Sequence, residues 1–157
     1  MKKNKTIYFL IIVFIWLVLK DAEGLFMYAK SEDYMFLSGA GLPAVYFFIS
    51  TASMTIGLAT LIFLFRPKAV GLHISIYGIL FRILAAGVVM ILSLMNIDAV
   101  KHLASTKTSA SGRTMTLEMI DTFVSPTVMV STFLVMTLFY ALLFYLLRKN
   151  RAYFLQG

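Results

Sequence analysis

Arg82 stands inside the apolar run Val70–Met95, which holds no other charged residue. A guanidinium cannot discharge by losing a proton. At mid-bilayer it costs at least ~2.5–3.5 kcal/mol on insertion scales. It must therefore face other helices, a wet cavity or another subunit. Counted at 1.5 Å per residue, Arg82 lies ~17 Å above the start of its run, near the midplane of a ~30 Å hydrocarbon core. Asp21 comes to ~21 Å along the first apolar run and Glu23 to ~24 Å, both within reach of a long side chain. The spacing predicts an Arg82–Asp21 pair, with Glu23 as second choice. Asp121, ~39 Å up the last run, lies too high.

Hydroxyls collect at the same depth: Ser50, Thr51, Ser53 and Thr55 in the second run, Ser131 and Thr132 in the last. An intramembrane polar centre of Arg82, Asp21, Glu23, Ser53 and Thr132 follows. Three readings suit it. One is a structural ion pair with hydrogen bonds between helices. Another is binding or transport of a small anionic or amphipathic ligand in an outward-facing cavity around Arg82. The third is contact with a membrane helix of a partner protein. The helical face of Arg82 also carries Ser75, Gly78, Ala85, Ala86, Val89 and Ser93, small residues that let backbones approach, and Ser53-xxx-Gly57 has the same character.

A second constellation lies toward the outer side. Asp98 and His102 are four apart and Glu118 and Asp121 three apart, so each pair shares a helical face. Carboxylates with one imidazole could hold a divalent cation, or serve a membrane enzyme acting on a lipid or envelope substrate. A solvated rim of charges is the simpler account. His73 and His102 lie at opposite interfaces and cannot share a haem iron. The chain has no cysteine, and no Walker loop, dinucleotide fingerprint, HExxH or GxSxG motif. No catalytic residue, cofactor or resident metal is implied.

These residues need helices to position them. The chain has 157 residues, 61% hydrophobic and 13% charged, against about a quarter charged in a soluble domain. The apolar residues form four long runs, so the solvent is lipid. The pattern predicts an all-α polytopic membrane protein: one antiparallel four-transmembrane-helix bundle over residues 1–157, with spans near 6–28, 42–65, 70–95 and 122–147. Outer connections cover 29–41 and 98–117. Pro43 suits a first helical turn, and Arg66-Pro67-Lys68 makes a tight turn. Asp98–Ala104 extends the third helix, and Ser105–Gly112 reads as a loop. Thr116 caps the fourth helix, which Pro126 kinks. Tyr8, Tyr28, Tyr46, Tyr145 and Tyr153 read as interfacial belts.

Charge sets the orientation. Every acid (Asp21, Glu23, Glu32, Asp33, Asp98, Glu118, Asp121) falls on one side. Lys2, Lys3, Lys5, Arg66, Lys68, Arg148, Lys149 and Arg151 fall on the other. The positive-inside rule makes that side, and both termini, cytoplasmic. The Lys-rich start and Ile7–Leu19 resemble a signal peptide, but Lys20 spoils the cleavage site, so the segment stays as the first helix. The net charge of +7 is placed for lipid head groups rather than nucleic acid. The expected function is that of an accessory, regulatory or self-associating component of a bacterial inner membrane. Its partners are the bilayer and another membrane protein or a second copy.

Overall fold

A computed structural model describes residues 5–110 and 116–155. Lys2, Lys3 and the Ser111-Gly112 end of the expected loop lie outside the described residues. Apart from one 3-10 turn at Tyr28–Lys30, the elements are α1 (Lys5–Phe26), α2 (Glu32–Gly39), α3 (Pro43–Phe65), α4 (Ala69–Met95), α5 (Ile97–Ala110), α6 (Leu117–Phe123), α7 (Pro126–Lys149) and α8 (Arg151–Phe154). No strand occurs among the described residues. Three helices, α3, α4 and α7, are long and apolar enough to cross a membrane. Helix α1 differs only at its end, where Lys20, Asp21 and Glu23 follow an uncharged stretch from Thr6 to Leu19.

Local chemistry explains the boundaries. Pro43 and Pro126 each open a helix, where the missing N–H costs nothing. Arg66, held out of the helical region by Pro67, ends α3. Thr116 caps the short α6, rather than the fourth long helix, by accepting from the Met119 N–H at 3.3 Å.

Three expectations need correction. The third long helix does not run on through Ala104, because Asn96 breaks it and turns its side-chain amide back to the Leu92 carbonyl (2.9 Å). The stretch from Ser105 to Ala110 is helical, part of α5. Pro126 does not kink a continuous helix: α6 ends at Phe123, and Ser125 caps a new one by accepting from Val128 N–H. The outer connection at 29–41 also gains a helix, α2, whose N-cap Ser31 accepts from Tyr34 N–H.

The long helices pack in the order α1–α3–α4–α7, and α7 meets α1 only briefly. Ile7, Leu10, Phe14, Leu64, Ile79, Leu143, Leu147 and Phe154 form one core at the end where both chain termini emerge. At the far end α2, α5 and α6 close over the bundle, around Leu37, Tyr46, Val89, Val100, Ile120 and Met129. Two of the expected belt tyrosines are buried clasps instead. The Tyr46 hydroxyl donates to the Gly24 carbonyl and that of Tyr153 to the Leu64 carbonyl, each at 2.6 Å. Tyr8, Tyr28 and Tyr145 remain exposed.

Candidate functional site

Arg82 lies at the centre of α4, thirteen residues from Ala69 and thirteen from Met95. Its side chain is 7% exposed, and that of Asp21 14%. Nη1 donates to Asp21 Oδ1 at 3.1 Å, and Nη2 donates to Asp21 Oδ2. The same Nη2 also donates to the main-chain carbonyl of Ser53 at 3.0 Å. The phenol of Tyr140 on α7 lies against the guanidinium. Each of α1, α3, α4 and α7 thus supplies one member of a single polar cluster.

The sequence places these groups by simple rules. Ile7, Leu10, Phe14 and Leu17 form the buried stripe of α1 at steps of three and four. Asp21 is the next step on that stripe, so it enters the interior where an apolar residue would otherwise stand. Glu23 is two residues further, about 200° around the helix. It turns outward and pairs with Lys20 at 2.8 Å, so it does not belong to the centre.

Ser53 contributes its carbonyl rather than its hydroxyl. A helical carbonyl already accepts from the N–H four residues on, but a second lone pair remains. That residue is Gly57. A Cβ there would stand 3.3 Å from Arg82 Nη2 and 2.7 Å from Val18 Cγ2. The bare glycine therefore leaves the Ser53 oxygen open to the guanidinium and lets α1 approach. The Ser53-xxx-Gly57 pair serves contact, as expected, and recognition of a cation as well.

Thr132 does not join the centre. Its neighbour Phe133 faces α4 at Gly87, and a one-residue step of about 100° turns Thr132 outward. Thr51, Thr55 and Ser131 are exposed too, so the expected hydroxyl patch does not gather. Tyr140 takes the place assigned to Thr132. Its signal is one of depth. It lies nine residues above Lys149, about 14 Å, and its ring leans about 6 Å further toward the helix start. That brings the phenol to the ~20 Å height of Arg82 above the start of α4.

A bidentate arginine–carboxylate pair is geometrically specific and has no net charge. A guanidinium has five N–H donors, and three hydrogen bonds run to Asp21 and Ser53. The two best-formed hollows lie elsewhere, one outside α3 at Phe47, Phe48, Thr51 and Ala52, the other at the joint of α7 and α8. Thr60 Oγ1 and Thr137 Oγ1 are buried with no hydrogen-bond partner among the described residues.

The outer acids stay apart. Asp98, His102 and Glu118 are exposed. Asp121 pairs with Lys101 at 2.7 Å. Among the described residues no three carboxylates or imidazoles converge to hold a metal. Asp98, His102, Glu118 and Asp121 are therefore not assembled into one cation site. His73 is exposed near the start of α4. No family model matches the chain, and neither a curated protein nor a solved structure matches it.

Proposed function

We propose that this is a non-catalytic component of a bacterial inner membrane that acts through its membrane helices, as an accessory, regulatory or self-associating unit. It crosses the bilayer four times, by α1, α3, α4 and α7, with both termini in the cytoplasm. Helix α1 has 22 residues, about 33 Å, enough for a ~30 Å hydrocarbon core. The charges that set it apart are neutralised. Asp21 is paired with Arg82, and Lys20 with Glu23. The excess of Lys and Arg at the end bearing the termini supports the orientation.

The observation that carries this reading is that the buried guanidinium is satisfied from within. Its hydrogen-bond partners come from two other helices of the same chain, α1 and α3, and the Tyr140 phenol of α7 interacts with it electrostatically. Such a hub fixes the angles between helices. The outward faces of α1, α4 and α7 then present a defined apolar surface, including Ile12, Trp16, Leu84, Val135 and Leu138. Lipid and another membrane protein or a second copy are the partners this surface suits.

Purification of the intact chain in a mild detergent, with the mass of the protein particle measured, tests the proposal. A stable complex with a membrane protein, or a homo-oligomer, is the expected result. A partnerless monomer at every protein concentration would refute it. Reporter fusions at the C-terminus check the orientation separately.

A further inference from the structure

The joint between α7 and α8 carries a basic hollow that the polar centre does not use. Helix α7 ends at Arg148-Lys149, and Asn150 closes it. The Asn150 side-chain amide donates to the Leu146 carbonyl at 2.8 Å, and its backbone N–H reaches the Leu147 carbonyl at 3.1 Å. The chain then turns into α8. That short helix is fixed: Phe154 is fully buried, and Tyr153 donates to the Leu64 carbonyl. Arg151 opens this anchored helix and borders the same hollow as Arg148 and Lys149.

The three cations border a hollow of about 440 Å³ whose other walls are Phe144 and Tyr145. The Arg148 guanidinium carbon lies 5.7 Å from the Phe144 ring centre, and Lys149 Nζ lies 5.8 Å from that of Tyr145. The rings approach Arg148 and Lys149 without neutralising them. None of the three makes a salt bridge with a carboxylate among the described residues. The last carbonyls of α7 favour cations and repel anions, so an incoming anion must be met by side chains. Three exposed cations beside aromatic walls, where a long apolar helix ends, match one kind of molecule: an anion joined to an apolar body.

We propose that this hollow binds the phosphate of an anionic phospholipid. Arg148 and Arg151 donate to its phosphoryl oxygens, which suit a guanidinium fork. Lys149 adds charge, and Phe144 and Tyr145 line the glycerol and first acyl carbons. The lipid site does not require that the chain have a protein partner.

Native mass spectrometry of the full chain, titrated with phosphatidylglycerol and with phosphatidylcholine of the same acyl chains, tests this. Phosphatidylglycerol is expected to bind in preference. Each cation changed to Gln lowers its apparent affinity about fivefold, and Arg148→Gln/Lys149→Gln/Arg151→Gln together about a hundredfold. The single Arg151→Gln variant carries the test if the triple variant does not fold. The Arg66→Gln/Lys68→Gln variant removes charge from the same end of the bundle but not from the hollow, and keeps the preference. Equal binding of the two lipids overturns the proposal. So does an unchanged affinity in the triple variant, or an equal loss in the Arg66/Lys68 variant. Displacement of the lipid by inorganic phosphate would reassign the hollow to a free anion and also overturns it.

Discussion

Replacing Asp21 by leucine leaves the Arg82 guanidinium buried at the centre of α4 with only the Ser53 carbonyl and the Tyr140 phenol for company. Two unit charges about 4 Å apart in an effective dielectric of about 20 attract by ~4 kcal/mol. Breaking a buried pair by removing one partner costs ~3–5 kcal/mol in measured cases. The Asp21→Leu protein should therefore lose ~3–5 kcal/mol. Arg82→Met should lose less, because a lone carboxyl can become neutral by taking up a proton and a guanidinium cannot. Asp21→Leu/Arg82→Met removes both charges and keeps the volume, and buried pairs replaced in this way are often neutral. It should lie within ~2 kcal/mol of the parent, which gives a coupling of at least ~1 kcal/mol in a double-mutant cycle, and more by whatever Arg82→Met itself loses. Reversible unfolding in mixed micelles, followed by circular dichroism, supplies the four stabilities. A coupling below ~0.5 kcal/mol, the scatter of independent sites, would show that the pair does not hold the helices together.

Three further outcomes follow from the packing. Gly57→Ala puts a methyl 2.7 Å from the stiff Val18 side chain and beside Arg82 Nη2; overpacking of this kind costs ~1–3 kcal/mol, read in the same unfolding assay. Thr60 is fully buried with its hydroxyl unpartnered, so Thr60→Val, which fills the same space, should leave stability unchanged or raise it by up to ~1 kcal/mol. Burial, and then the nearby Tyr8, push the Tyr153 phenol above its ordinary range. A phenol kept protonated by the fold lends stability that is whole below its unfolded value of about 10 and fades as pH rises through the raised folded value. Tyr153→Phe should lose ~0.5–1.5 kcal/mol at neutral pH with the bond to Leu64, and should show less alkaline destabilisation than the parent in unfolding midpoints measured from pH 8 to about 11.

Depth counting identified the Arg82–Asp21 pair because both residues are on helices, where height follows from residue number. The same arithmetic kept Glu23 as a rival, since it fixes height and ignores azimuth; the stripe Ile7, Leu10, Phe14, Leu17 decides between the two. Thr132 has the right height, and its outward azimuth removes it. Tyr140 was hidden because its backbone lies below the pair and only its phenol reaches it. The role of Ser53 was partly legible: its small size marks a contact, but the use of its carbonyl depends on the missing Cβ of Gly57 and on how closely α1 and α4 approach. Helix α2 and the later half of α5 read as connections in the sequence because polar composition resembles loop composition. The apolar residues of α2 and α5, such as Leu37 and Val100, find a core only once the long helices bring them together.

The partners in the buried pair are separated by 61 positions along the chain. At a synthesis rate of ~5–20 residues per second, the arginine leaves the ribosome ~3–12 s after the aspartate it must meet. For those seconds the Asp21 carboxyl has no counter-charge and stays neutral in an apolar setting only by taking up a proton. The bidentate contact therefore forms only after the third long helix has been made, and the final seating of α1 against α4 is a late event in synthesis.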